Sequence, residues 1–138
     1  MNLRLYRPED NPKIIKLWKE TKLVEEDCTA DILCHYQRFP DLMIIGEVDS
    51  CLVATCFAGY IGHRGFVFDL AILDRFQRKG YATLMLDAIN KKLHVKGCRE
   101  TTVLVSNINS AAISFYRRLG FTTIPVTVMR TVIPTNGL

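Results

Sequence analysis

The sequence predicts an α/β protein in which a mixed sheet is covered by helices on both faces. Two observations lead to this fold class. Apolar runs of strand length alternate with segments whose apolar residues recur at helical spacing, in the order β-α-α-β-β-β-α-β-α-β. One succession of strand, helix and strand, at 66–73, 81–96 and 101–105, also implies a parallel pair of strands. The remaining strands are expected to make the sheet mostly antiparallel.

The central strands are predicted from turn residues and from apolar content. Asp49-Ser50 is a turn-forming pair between the apolar runs 42–48 and 51–61, which indicates a hairpin. Residues 62–65 then form a loop. The segment 66–73 is apolar apart from Asp69, as is typical of a strand with both faces covered.

The helices and the outer strands are predicted from local patterns. Asn11 as cap and Pro12 at the first helical position begin the first helix. Glycines that suit a helix C-terminus follow the helices at 81–96 and 110–119. The remaining elements are a first strand at 3–6, a helix at 29–37, and a final strand or two at 121–133, broken at Pro125.

Composition restricts the classes of protein. The 138 residues fit a single domain, 1–138, and no apolar run is long enough for a transmembrane helix. Charged residues near the N-terminus argue against a signal peptide, so we expect a soluble cytoplasmic protein, monomeric or homodimeric. A net charge of +4 suits an anionic ligand and is too small to indicate nucleic-acid binding. Five cysteines without a Cys-x-x-Cys pair indicate neither a disulfide framework nor a metal site.

The turn between the strand at 66–73 and the following helix has the chemistry of an anion cradle. The first N–H groups of a helix have no partner within it, and the helix dipole adds partial positive charge there. Gly80 lets a phosphate approach the backbone closely, and Arg78 and Lys79 add positive charge. The sequence therefore predicts that a phosphate-bearing ligand binds at this turn.

Two segments of the chain resemble the GNAT superfamily of N-acetyltransferases. Residues 77–82, Gln-Arg-Lys-Gly-Tyr-Ala, match its signature of Gln or Arg, two residues, Gly, one residue, and Gly or Ala. Residues 109–121 match a second family pattern, an Asn, a helix with Tyr near its end, and Gly-Phe. Residues 59–65 and the short N-terminal half are similar to small bacterial acetyltransferases and to enzymes that acetylate ribosomal-protein N-termini.

The resemblance implies that acetyl-CoA donates its acetyl group directly to an amine, without a metal. It implies that the Ile72 N–H binds the oxyanion and that Tyr116 is the general acid that protonates the leaving thiolate. Asp69 is our candidate for the general base. The implied cofactor-binding residues are Leu70, Ala71, Ile72, Gln77, Arg78, Lys79, Gly80, Tyr81, Ala82, Thr83, Asn109 and Tyr116.

Several alternatives remain open at the level of sequence. The ribosomal enzymes have a Glu five residues before the Asn, where this chain has Leu104, so Glu47, His63 or water are also candidates for the base. Asn109 fits a simple helix cap, and Tyr116 fits plain packing. The whole chain fits a non-catalytic acyl-CoA sensor as well as an enzyme. The amine acceptor, whether a small molecule, a protein N-terminus or a lysine, has no recognisable motif.

Overall fold

A computed structural model describes residues 1–23 and 28–135 of the chain. Contacts group the residues into two units, Met1–Leu104 and Val105–Leu138. Each unit is described by itself below. That the chain is a single domain stays a prediction.

The first unit is built on a five-stranded mixed sheet whose strands lie in chain order. The first four strands pair antiparallel, and the fourth and fifth pair parallel. The predicted fold class is therefore confirmed. The strands are β1 (Asn2–Leu5), β2 (Met43–Val48), β3 (Cys51–Ile61), β4 (Arg64–Ile72) and β5 (Glu100–Val103).

Three helices of this unit are longer than one turn, and a fourth belongs to the second unit. They are α1 (Asn11–Glu20), α2 (Thr29–Arg38), α3 (Tyr81–Val95) and α4 (Ser110–Arg118). Asn11 lies inside α1, whose cap position is occupied by Asp10, because a short 3-10 turn at Pro8–Asp10 leads into the helix. The predicted role of Asn11 as cap is therefore wrong by one residue.

Two tight turns fix the register of the central strands. Asp49 and Ser50 both have positive φ, 51° and 64°, which is the conformation of a type I′ turn, and they join Val48 to its partner Cys51. This confirms the predicted hairpin. A second two-residue turn joins Ile61 to its partner Arg64, so β4 begins two residues earlier than the sequence pattern indicates.

The helices of the first unit cover both faces of the sheet. Trp18 of α1 and Ile32 of α2 form one buried cluster with Phe57 of β3. Tyr60 of β3 pairs with Gly65 of β4, and a side chain at Gly65 would meet Leu93 of α3. Because successive residues of a strand face opposite sides, α3 lies on the face opposite α1 and α2.

The absence of a side chain at Gly65 is what allows α3 to lie close to β4. A Cβ atom built there would lie 2.9 Å from Cδ1 of Leu93 and 3.2 Å from the carbonyl oxygen of Glu100. Real Cβ atoms do not come so close to a neighbour without displacing it. The helix that follows the predicted anion cradle is thereby held directly on the strand that precedes it.

The second unit contains α4 together with the segments that precede and follow it. Gly120, with φ 94°, ends α4 in a Schellman motif. In this motif the N–H of Phe121 donates to the carbonyl of Tyr116, and the N–H of Gly120 donates to that of Arg117. This confirms the prediction that a glycine ends this helix.

The final strand predicted at 121–133 is wrong. No strand forms in the described part of this segment, 121–135. Pro125 has no N–H to donate to a ladder, and the N–H of Val126 donates to the carbonyl of Ile124 across it, a tight bend that interrupts the extended run. The apolar side chains that suggested a buried strand are exposed, by 53% at Ile124 and 68% at Val128.

Within the described residues, no helix combines the length and the apolar character needed to cross a membrane.

Candidate functional site

The regular pairing of β3 with β4 is interrupted within β4. Thr55 of β3 pairs with Ala71 of β4, and Phe57 pairs with Phe68. The step between these pairs is two residues on β3 and three on β4, so β4 contains one extra residue. This is a β-bulge. Asp69 lies in it with φ 53°, a left-handed conformation that only a few residue types adopt readily, aspartate among them.

Beyond the bulge, the outer edge of β4 is not paired with β5. The parallel ladder runs from Arg64, opposite Glu100, to Val67, opposite Val103, and includes no later residue in the described chain. β4 itself continues to Ile72. The last residues of β4 therefore present backbone groups along a free edge.

The ladder with β3 shows which N–H groups lie on that edge. The N–H of Leu73 donates to the carbonyl of Val53 at 3.0 Å, so Leu73 is turned toward β3. Because neighbouring residues of a strand point their N–H groups in opposite directions, the N–H of Ile72 points to the free edge. This is the orientation that an oxyanion donor at Ile72 requires.

Gln77 links the end of β4 to the turn that follows. Its side-chain Nε2 donates to the carbonyl of Ile72 at 2.9 Å and to Oδ1 of Asp74 at 3.2 Å. The first bond satisfies the Ile72 carbonyl, which points away from β3 as its N–H does. Gln77 thus stabilises the turn through its hydrogen bonds to Ile72 and Asp74.

The turn ends at Gly80, which precedes the first residue of α3, Tyr81, and has φ 80°. Among the described residues, no side chain caps this end of α3, so the N–H groups of its first turn, at 81–83, are available to a ligand. A Cβ atom at Gly80 would meet no heavy atom within 4 Å, which shows that the space above the turn is open. Arg78 and Lys79 are exposed beside it.

Asp69, in the bulge, is a titratable group with a strongly perturbed pKa. It is half-buried, and burial, with a smaller contribution from the charge of Asp31, raises its pKa to about 6. Among the described residues, no donor lies within hydrogen-bonding distance of its carboxylate. A carboxylate of this pKa is suited to accept a proton near neutral pH.

The other two candidates for the base lie elsewhere. Glu47 accepts a hydrogen bond from Nε of Arg4 at 2.7 Å, and Arg4 also binds Asp10, so Glu47 belongs to a structural ion-pair network. His63 lies in the turn at the opposite end of β4 from the bulge, and six residues of extended strand span about 20 Å. The structure does not bring either residue to the free edge.

The two remaining predicted site residues, Asn109 and Tyr116, belong to the second unit. Oδ1 of Asn109 accepts a hydrogen bond from the N–H of Ala112 at 3.1 Å and caps α4. Tyr116 is half-buried, and its ring packs edge-on against those of Phe115 and Phe121, with centroids 5.1 Å and 5.2 Å away. The roles of both residues in binding or catalysis stay predictions.

Three residues near the bulge were not identified from the sequence. The Thr55 hydroxyl donates to the carbonyl of Asp69 at 2.7 Å and accepts from the indole N–H of Trp18 at 2.8 Å. His35 of α2 donates from Nε2 to the carbonyl of Ala58 at 2.8 Å, and burial lowers its pKa. Thr55 is the one aliphatic hydroxyl in the largely apolar run 51–61, a signal that could have identified it.

Within the described residues, no group of three or more His, Cys, Asp or Glu side chains is arranged to hold a metal ion.

Comparison with known proteins gives consistent relatives. The model of the acetyltransferase (GNAT) family matches residues 11–121 of the chain. An acetyltransferase of Pectobacterium atrosepticum is 31% identical over 126 residues, which cover 90% of this chain and 89% of that protein. An acetyltransferase of Yersinia enterocolitica is 30% identical over 125 residues, 89% of each chain.

Solved structures share the fold at lower identity. Ard1 from Thermoplasma volcanium superimposes with a TM-score of 0.80 at 23% identity and covers 88% of this chain and 82% of its own. The PaiA N-acetyltransferase from Thermoplasma acidophilum, solved in complex with coenzyme A, superimposes with a TM-score of 0.79 at 19% identity. The match covers 91% of this chain and 92% of that protein. These similarities show a common fold.

The raised pKa of Asp69 predicts a specific dependence of stability on pH. The unfolded carboxyl has a pKa near 3.9, so between about pH 4 and 6 the folded state binds more protons and the free energy of unfolding falls as pH rises. Asp69→Asn removes this loss. We expect the variant to be more stable than the parent above pH 6, by roughly 2 kcal/mol, with the difference vanishing below pH 4.

Denaturant unfolding at several pH values measures this difference. Asp49→Asn is the matched control, because Asp49 also has positive φ but lies in an exposed turn. It should keep the parent's pH dependence. A constant difference between Asp69→Asn and the parent at every pH would show that ionisation of Asp69 is not its cause.

Proposed function

The chain belongs to the acetyltransferase (GNAT) family, and from this premise we propose that it transfers the acetyl group of acetyl-CoA to a primary amine by direct attack in a ternary complex. The observation that carries the proposal is the continuity of one segment. The free edge of β4 leads, through the turn that ends at Gly80, directly into the uncapped N-terminus of α3. An extended thioester arm and a pyrophosphate need these two features in this order.

The turn supports binding of the pyrophosphate. Open space above Gly80, the N–H groups at 81–83, and the exposed cations Arg78 and Lys79 together offer hydrogen bonds and positive charge to phosphate oxygens. The pantetheine arm would then extend along residues 70–72, whose outward backbone groups have no β5 partner in the described chain. The PaiA structure, which contains coenzyme A, has the same fold.

The chemistry proposed for the acceptor begins with removal of a proton from its ammonium group, whose ordinary pKa is near 10.4. Asp69 supports this step, because its carboxylate is not hydrogen-bonded to any described residue and its pKa is raised to about 6. The amine nitrogen then attacks the thioester carbon. The oxyanion that forms is bound by the N–H of Ile72, which lies on the free edge of β4.

Collapse of the intermediate breaks the bond between carbon and sulfur and releases the coenzyme A thiolate. We propose that the Tyr116 phenol donates its proton to this sulfur and recovers one from solvent. A phenol with pKa near 10 can protonate a thiolate whose conjugate acid has pKa near 8.5 when the two are in contact. The products are an acetylated amine and free coenzyme A.

The first prediction from the proposed function concerns cofactor binding and the Gly80 turn. Acetyl-CoA should raise the melting temperature of the parent by mass action. Gly80→Glu places a negative side chain in the space proposed for the pyrophosphate and should weaken binding at least tenfold, about 1.4 kcal/mol. Titration calorimetry with acetyl-CoA measures both proteins.

Gly97→Glu is the matched control for this substitution. Gly97 also has positive φ and open space around its Cβ position, but it lies at the other end of α3. The control should bind acetyl-CoA within twofold of the parent. Equal affinities of the two variants would exclude the turn as the phosphate site, and a parent that does not bind acetyl-CoA would refute the proposed function.

The second prediction concerns turnover. Incubation with acetyl-CoA and a panel of amines, namely peptides with free N-termini, lysine peptides, amino acids and polyamines, should release free thiol with at least one acceptor. Mass spectrometry should find the matching acetylated product. A protein that binds acetyl-CoA and turns over none of these classes is better described as an acyl-CoA sensor.

The third prediction concerns Tyr116. Tyr116→Phe keeps the ring that packs against Phe115 and Phe121, so acetyl-CoA affinity should persist while kcat falls by roughly 10²-fold. Tyr60→Phe removes a phenol from β3 and should leave kcat near that of the parent. A Tyr116→Phe variant whose kcat stays within twofold of the parent would remove Tyr116 from the mechanism.

A further inference from the structure

We propose that Thr55 and Trp18 are positioning residues for the reaction. Their two hydrogen bonds fix the Asp69–Leu70 peptide in the bulge of β4, with the Asp69 carbonyl bound to Thr55 and the N–H of Leu70 pointing away from the Thr55 side chain. Neither residue touches the reacting atoms in this proposal, and both act through the Asp69–Leu70 peptide. The inference rests on the proposed acetyltransferase function and specifies what keeps its site in shape.

The direction of the two hydrogen bonds is determined by the chemistry of the groups. The indole N–H of Trp18 can only donate, so the Thr55 hydroxyl must accept from it at 2.8 Å. The single proton of that hydroxyl is then left for the carbonyl of Asp69, 2.7 Å away. Trp18 thereby orients the hydroxyl, and the hydroxyl in turn fixes the carbonyl.

Burial makes this arrangement difficult to replace. Thr55 is 0% exposed and Trp18 is 3% exposed, so water does not compete for either hydrogen bond. A buried polar group without a partner is destabilising, which means that loss of the hydroxyl leaves both the indole N–H and the Asp69 carbonyl unsatisfied. The bulge would have to shift to recover a partner.

The orientation of the Asp69 carbonyl determines what the next N–H can reach. In a trans peptide the C=O and the following N–H point in opposite directions. A carbonyl of Asp69 bound by the Thr55 side chain therefore turns the N–H of Leu70 away from that side chain. The hydrogen bond from Thr55 also stabilises the left-handed backbone of Asp69, at φ 53°, which aspartate tolerates better than most residue types.

The bonds also connect the bulge to the helical layer. Trp18 lies on α1, and its ring packs edge-on against Phe57 of β3, with centroids 5.5 Å apart at an interplanar angle of 67°. Phe57 is the β3 residue at which regular pairing with β4 resumes. The position of α1 is thus coupled to both the bulge and its flank.

The test compares three substitutions that change a threonine. Thr55→Val keeps the shape and removes the hydroxyl, whereas Thr55→Ser keeps the hydroxyl. Thr101→Val is the matched control, because the Thr101 hydroxyl donates to Oδ1 of Asn90 at 2.7 Å and lies on β5, opposite Gly65 and away from the bulge. For each protein, we measure the melting temperature, the acetyl-CoA dissociation constant by calorimetry, and, with an accepted amine, kcat and KM.

A positioning role predicts a pattern that lost stability alone does not produce. Thr55→Val should weaken acetyl-CoA binding at least tenfold and lower kcat/KM for acetyl-CoA, with the KM of the amine little changed. Thr55→Ser should recover affinity to within threefold of the parent. Thr101→Val should lower the melting temperature and leave acetyl-CoA affinity within twofold.

The possible outcomes separate the two proposals. If the parent binds acetyl-CoA and Thr55→Val binds it as well as Thr101→Val does, positioning by Thr55 is refuted and the proposed function stands. A parent that fails to bind acetyl-CoA refutes the proposed function, and this inference with it. If Thr55→Val does not fold, Trp18→Phe, which leaves the hydroxyl free to rotate, takes its place. That variant should bind at least threefold more weakly, and affinity equal to the parent would overturn the proposal.

Discussion

The one residue by which β4 exceeds β3 between Thr55 and Phe57 is the constraint on which the rest of the candidate site depends. A strand in regular register would present Asp69 and its neighbours to alternate faces and return every second N–H to a neighbouring strand. The bulge breaks that alternation at one place. It frees an edge of backbone in the interior of a sheet, where such groups are otherwise paired.

Charge is distributed along β4 and its following turn in a way that suits two different partners. The half-buried Asp69 lies near the bulge, and the exposed cations Arg78 and Lys79 lie beyond the end of the strand. A carboxylate with a raised pKa is a good acceptor of a proton from a neighbouring group, and a cationic turn binds phosphate. One continuous segment thus combines a half-buried negative group with exposed positive groups, as the proposed ternary complex requires.

Local chemistry explains which features the sequence predicts well. Three features each depend on a few adjacent residues with special backbone preferences, so the local sequence is enough to predict them. They are the Asp49-Ser50 turn, the start of α3 after Gly80 and the end of α4 at Gly120. The bulge and its support depend on Thr55 and Trp18, which are 37 positions apart in the chain. No spacing rule connects them, and only the folded sheet brings them together.

The error at 121–133 has a related cause. Apolar, β-branched residues satisfy the composition of a strand, but a strand also needs a partner and an uninterrupted ladder. The bend across Pro125 interrupts the ladder. Composition does not show whether a partner strand is present. Asp69 shows the converse, because a charged residue in an apolar run was recognised as unusual while its left-handed backbone was not foreseen.

Gly65 has a consequence for how distant substitutions act on the cradle. It touches Leu93 near the C-terminal end of α3, while the turn at Gly80 lies at the other end, about 18 Å away along the helix axis. A methyl group at residue 65 would press on Leu93 and on the carbonyl of Glu100, and any resulting displacement of α3 would be carried along the rigid helix to the N–H groups at its other end. The proposed binding of a phosphate at the Gly80 turn would in that case also depend on residue 65, which carries no functional group.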